Sequence, residues 1–188
     1  MKLQTLKVNN VSPEEFITFW SVQYDYPFDD LYRKNIELDK FDPETLREFF
    51  LWKNGMRLSG NKETAFNNIV QHIDIINELK QNGFTPDVFE QYFGNTATIW
   101  KIFLMHIICP SEYPIFDQHV YRAFRFINSL PNEDLPENKI EKSKKYFDEY
   151  RPFYQQIQKE ANGFSDKVID EALWGFGKFL STYHKMLS

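Results

Sequence analysis

Two ionisable side chains stand out because of what surrounds them. Lys101 lies in a run that is almost wholly apolar from Ile99 to Cys109, interrupted otherwise only by His106. A lysine in such a run is ion-paired, stretches its stem to reach water, or is desolvated toward its neutral, nucleophilic form. Schiff-base chemistry requires the last of these. Asp117 follows a turn punctuated by Pro110 and Pro114 and directly precedes an amphipathic run. An aspartate in that position caps a helix, a contribution of about 1 kcal/mol. Capping also holds the carboxylate rigid, ionised and directed out of the helix start, which suits it to stabilise a developing cation or orient a nucleophile. The two residues sit on successive elements joined by a short turn, so one cavity could receive both. The structural alternatives are an ion-paired or surface-reaching Lys101, and an Asp117 that caps and does nothing more.

Other polar residues carry weaker signals. His119 falls in the first turn of the helix that Asp117 opens, and His106 reads as a satisfied core histidine. Arg122 and Arg125 are expected on the exposed side of the same helix, free to meet phosphate or simply solvated. The lysines at 139, 142, 144 and 145 are interleaved with Glu137, Glu141, Asp148 and Glu149 and read as a solvated face. No phosphate-cradling glycine loop, Ser-His-Asp order or metal motif is present, and no cofactor is expected.

The elements that must position these residues are helical. Ser12-Pro13-Glu14-Glu15 and Asp42-Pro43-Glu44 are helix starts with cap, N1 proline and first-turn acids. The second predicts a helix to Asn54, closed by Gly55, with Leu46, Phe49, Phe50 and the Lys53 stem on one face. A short helix is expected near Asp29 to Asn35, a long one from Asn61 to Asn82, and another from Pro86 to Phe93. Asn95 or Thr96 is expected to cap the apolar helix, which ends at Pro110. Gln118 to Asn128 follows with Val120, Tyr121, Phe124 and Ile127 inward. Glu137 to Tyr150 reads as a charged helix, which Pro152 kinks or separates from the next segment. Ser165-Asp166 caps a last helix with Val168, Ile169, Ala172, Leu173, Phe176 and Leu180 on a wide apolar face. Residues 1–11 show no period and read as a loose arm or short strand. The expectation is an all-α domain spanning 1–188, of eight to ten helices in two closely packed lobes.

Composition narrows the class. A chain of 188 residues can bury a sizeable core without disulfides or metals, and its single cysteine, Cys109, lies in the apolar run as a small hydrophobe. The N-terminus lacks the apolar stretch of a signal peptide, and no run approaches the ~18 residues of a membrane helix. A soluble, reducing, cytoplasmic setting with no membrane partner is the simplest expectation. The net charge of -5 argues against strong non-specific nucleic-acid binding, although a local basic face can act within an acidic chain. With 18% aromatic residues, some rings are available to line a pocket rather than fill space.

The order of a short helix, the turn Gly94-Asn95-Thr96, an apolar helix, a proline-rich turn and then Pro114-Ile115-Phe116-Asp117-Gln118-His119-Val120 resembles the helix-hairpin-helix DNA glycosylase superfamily, and within it the 8-oxoguanine glycosylase-like branch. The likeness is concentrated in residues 85–127, with Ile169-Asp170-Glu171-Ala172-Leu173-Trp174 and Gly177-Lys178 similar to the closing helix of small members. It implies an orthogonal helical bundle in which 85–127 form the hairpin and catalytic core. It also implies duplex DNA carrying a damaged base as partner, and excision of that base once flipped out. Asp117 would take the catalytic aspartate's role, one residue further from its proline than in the family pattern. Lys101 would be the attacking amine, although it lies deeper in its helix than the family's lysine. Trp100, His119 and Trp174 would contact the base, while Gly94, Asn95, Thr96 and Arg122 would contact the DNA backbone. Two other classes stay open on the residues alone: a non-catalytic helical module of phage or defence origin that binds nucleic acid or protein, and a small-molecule enzyme using the same pair.

Overall fold

The computed structural model describes residues 10–161 and 163–187, and every regular element among them is helical. The expected N-terminal arm lies outside the described residues except for Asn10 and Val11. Helix α1 (Pro13–Ser21) opens with a capping box, in which Ser12 Oγ accepts from the Glu15 amide at 3.2 Å and the Glu15 carboxylate accepts from the Ser12 amide at 2.9 Å. A loop carrying Tyr24 and Tyr26 leads to α2 (Asp29–Arg33). Helix α3 (Pro43–Asn54) starts at Asp42, which accepts from the Thr45 amide at 2.7 Å, and stops at Gly55 with a φ of 70° that favours glycine.

The single long helix expected over 61–82 is divided into α4 (Asn61–Val70) and α5 (Ile73–Asn82). The chain turns at Gln71 and His72, where the His72 amide donates to the Ile69 carbonyl at 3.0 Å. That turn lets α4 reach α3 through the Phe66–Phe50 ring pair while α5 lies along α7. Continuous apolar periodicity cannot reveal such a break, because both halves keep a helical stripe.

Helices α6 (Pro86–Phe93) and α7 (Thr98–Ile108) follow one another across a short turn. The N-cap of α7 is Ala97, not Asn95 or Thr96, so no side chain covers its first amides. Helix α8 (Gln118–Ile127) begins at Asp117 as expected. Ile127, expected inside, is 41% exposed. Between 139 and 160 the chain stays helical: α9 (Lys139–Lys144), a π-helical stretch (Lys145–Tyr150) and α10 (Arg151–Glu160). Proline lacks an amide hydrogen and its ring crowds the carbonyl four residues back. The wider π turns immediately before Pro152 absorb both defects, so the helix neither breaks nor restarts.

Helix α11 (Asp166–Leu187) closes the bundle against α1 and α8. Two glycines permit the approach. A Cβ at Gly177 would stand 1.9 Å from the His119 carbonyl oxygen, and one at Gly175 would stand 2.8 Å from the Trp20 carbonyl oxygen. One continuous apolar core, from Ile17 to Leu180, is built largely of rings, and two of the polar groups buried in it are fully bonded. Asn77 accepts from the Phe41 amide at 2.7 Å and donates to the Phe41 carbonyl at 2.9 Å. His106 bridges the Tyr32 hydroxyl and the Tyr113 carbonyl, each at 2.7 Å, which makes it the satisfied core histidine its setting suggested.

Candidate functional site

Ile115 and Phe116 are buried and pin the proline-rich turn to the core, with Phe116 packed between Tyr146 and Tyr150. The next residue is therefore held at a fixed place. Asp117 Oδ1 accepts from the amides of His119 at 2.8 Å and Val120 at 3.1 Å. Its other oxygen, Oδ2, faces the ammonium of Lys53 at 3.4 Å. Lys53 reaches it from the last turn of α3, and its side chain is 5% exposed against 26% for Asp117. The ammonium also lies 5.8 Å from the Phe103 ring centre and 5.9 Å from that of Trp52, within range of cation–π attraction.

Burial opposes ionisation of Asp117. The Lys53 charge, His119 and the two capping amides outweigh it and hold the carboxyl below the ordinary range. Asp170, one α-helical turn before Trp174 on α11, has the opposite fate. It is 5% exposed, its Oδ1 is buried with no hydrogen-bond partner among the described residues, and burial pushes its pKa up to about 7. Lys167 and Lys53 draw that value down, while Asp117 and Glu171 add to the rise.

These groups border a cavity of about 30 Å³ walled by Tyr24, Tyr26, Trp52 and Trp174 together with Lys53, Ile115, Asp117 and Asp170. The walls are tied down. The Tyr26 hydroxyl donates to the Trp52 carbonyl at 2.5 Å, and Tyr24 donates to Asp29 at 2.7 Å. Trp174 meets Tyr24, Tyr26 and His119 with ring centres 5.2, 5.6 and 5.0 Å away. Asp170 and Ile115 also face a second cavity, of about 380 Å³, whose floor includes Tyr32, His106 and Tyr154. Lys167, paired with Asp29 at 2.7 Å, lines this second cavity and lies over the rings of Tyr24, Tyr32 and Trp52.

The structure corrects several expectations. Lys101 does not share a cavity with Asp117. It forms an ion pair with Glu90 and lines a separate hollow of about 360 Å³ with Gly94, Thr96, Thr98, Lys139 and Lys144. The ion-paired alternative accounts for it: a helix apolar around most of its circumference gives no phase, and position 101 falls on the outward side. Trp100 is packed on Phe50 at 4.7 Å and is absent from the Asp117 cavity, whereas Trp174 is part of its wall. Arg122 and Arg125 are not on a solvated face. Arg122 donates to the Gly177 carbonyl at 3.3 Å, and Arg125 donates to the Pro131 carbonyl at 2.6 Å and the Tyr121 hydroxyl at 3.0 Å. Gly94 and Thr96 border the Lys101 hollow, and Asn95 is exposed beside it.

Lys53 and Asp170 were not singled out from the sequence. A signal existed for Lys53, which follows Leu46, Phe49 and Phe50 at helical spacing on the buried face of α3. Asp170 likewise sits between Ile169 and Leu173 on an inward face of α11.

Chemically, the cavity offers a fixed anion, a shielded primary amine and a proton-carrying acid within one aromatic enclosure. Among the described residues no cluster of histidine, cysteine, aspartate and glutamate is arranged for a metal ion, and no helix is long and apolar enough to cross a membrane. No family model, curated protein or solved structure matches the chain.

Proposed function

We propose that this protein is a base-excision enzyme of the helix-hairpin-helix DNA glycosylase type, acting on a damaged base flipped out of duplex DNA, with Asp117 and Lys53 at its centre. The observation that carries this reading is the pair itself: an aspartate ionised at a helix start, 3.4 Å from a lysine whose side chain is 5% exposed, inside a wall of aromatic rings. Loss of a base leaves positive charge on the sugar, and a preorganised carboxylate stabilises it without reorganisation. An amine beside that carboxylate is placed to attack C1′ once it has given up its proton. The rings supply stacking faces of the kind that hold an extruded base.

Two further features support the reading. The turn at residues 94–97 leaves the first α7 amides without a side-chain cap, an arrangement that favours phosphate oxygens. Lys101, Lys139 and Lys144 line that hollow with one acid, Asp148, and Lys101 is paired with Glu90, which leaves Lys139 and Lys144 as its additional cations. In this reading Lys101 serves the backbone rather than the chemistry. A cavity of about 30 Å³ has room for about one water molecule, so substrate entry parts Trp174 from Tyr26.

The test is base release and strand scission on duplexes containing 8-oxoguanine or an abasic site, at low salt, with wild type and Asp117→Asn. The reading expects scission by wild type and a loss of about 100-fold or more in the variant. A protein that neither binds nor cleaves these duplexes contradicts it for those substrates. The non-catalytic alternative is favoured by the small size of the cavity, and it expects binding that survives Asp117→Asn with no cleavage.

A further inference from the structure

The Asp117 cavity and the larger one beside it meet at Asp170, and that residue's carboxyl is the least explained polar group in the molecule. It comes from α11, where Asp166, Lys167, Asp170 and Trp174 follow one another at helical spacing: Asp166 and Lys167 line the larger cavity, Trp174 the smaller, and Asp170 both. A buried polar atom with no partner is destabilising, because its hydration is lost and nothing replaces it. Nothing in the packing of α11 requires an acid there. We propose, on the footing of the base-excision reading, that Asp170 is a second catalytic carboxyl, the proton donor to the leaving nitrogen of the base, and that the larger cavity receives that base as it departs.

The geometry divides the labour between two acids. Asp117 has its lone pairs engaged by two amides and by Lys53. Asp170 lines both spaces, and its buried Oδ1 is unengaged among the described residues. Two carboxyls in one site whose surroundings drive them to opposite protonation states carry out opposite tasks. The groups facing Asp170 are Lys53 from α3, Asp117 from the turn before α8, Lys167, Glu171 and Asp166 from its own helix, and the rings of Tyr32, Tyr154 and His106. In balance these keep it protonated up to neutral pH, its pKa standing at about 7.

The step is balanced as follows. The C1′–N bond breaks and its electron pair goes to the base nitrogen, which takes the Asp170 proton. The positive charge left on the sugar faces the Asp117 carboxylate. Lys53 bonds to C1′ after releasing its ammonium proton to solvent, and Asp170 takes a proton back from solvent once the base has left, which restores the acid. At about 380 Å³ the second cavity falls within the roughly 300–1,000 Å³ of small-molecule sites, while the first does not.

The role predicts a split that a merely structural residue would not produce. An abasic site has no base to protonate. Asp170→Asn is therefore expected to lower base release about 100-fold or more, while borohydride trapping on an abasic duplex stays within about threefold of wild type. Equal loss of both, or loss of neither, overturns the proposal. A second measurement is carboxyl carbon NMR titration of Asp170 in the free protein, with a midpoint expected at about 7 that falls in Asp117→Asn. An ordinary carboxylate midpoint together with intact base release removes the proton-donor role and leaves the excision reading standing. A midpoint near 7 in a protein that releases no base removes the excision reading and the leaving-group role with it.

Discussion

Asp117 and Asp170 border one small cavity, and their surroundings send them in opposite directions. Two amides and an ammonium meet the first, while the second has a buried oxygen with no partner. The difference has a consequence for stability. In the unfolded chain Asp170 ionises at the ordinary 3.8, and in the fold it ionises at about 7. The fold therefore carries no penalty below the lower value, a growing one between the two, and the full penalty above the upper. Asp170→Asn removes it and is expected to stabilise the protein at pH 8 by about 2–4 kcal/mol, with little change at pH 4, as read by thermal unfolding at the two pH values. His106 runs the other way. It is buried neutral with its pKa lowered to about 3, whereas the unfolded chain takes up a proton from 6.5 downward. Its share of stability falls as pH drops through that window, by up to about 1.4 kcal/mol per pH unit. His106→Gln should flatten the acid limb of urea unfolding free energy between pH 6.5 and 4 by about one proton.

Among the elements, α11 is what turns separate side chains into a site. It brings Asp170 and Trp174 against Lys53 from α3 and Asp117 from the start of α8, and it does so because position 177 has no side chain. A Cβ there would meet the His119 carbonyl at 1.9 Å, a backbone atom in the first turn of α8 that cannot swing aside. Gly177→Ala is expected to cost about 3 kcal/mol or more in chemical denaturation, at or beyond the usual range for overpacking. It should also depress activity through displacement of the Asp117 cap. The helices and most of their ends were legible because capping residues, prolines and glycines act locally: Ser12, Asp42, Gly55 and Asp117 all sit where their chemistry says. The break at Gln71 and His72 and the unbroken path through Pro152 were not, since tertiary packing sets the first and a π turn relieves the second. Lys101 shows a related limit. A run apolar at nearly every position has no periodic phase, so the one charged residue in it cannot be assigned inward or outward from spacing.

Across the whole molecule, a large-ringed core leaves little space, and the polar groups it does bury fall into two sets. Asn77 and His106 have their hydrogen bonds made and hold loops to helices. Among the described residues Trp52 Nε1, Gln118 Nε2, His119 Nδ1, Tyr150 Oη and Asp170 Oδ1 are buried without partners, and three of the five belong to residues in or against the wall of the Asp117 cavity: Trp52, His119 and Asp170. Unsatisfied groups gathered at one place are a feature of sites more than of cores. The sequence disclosed the aspartate of that place but not its amine, because the lysine comes 64 residues earlier and only the fold brings them together. The assignment of that amine is the central claim, and borohydride trapping on an abasic duplex followed by peptide mapping tests it directly. The covalent adduct is expected on Lys53, lost in Lys53→Ala and retained in Lys101→Ala. An adduct on Lys101, or trapping that survives Lys53→Ala unchanged, would contradict it.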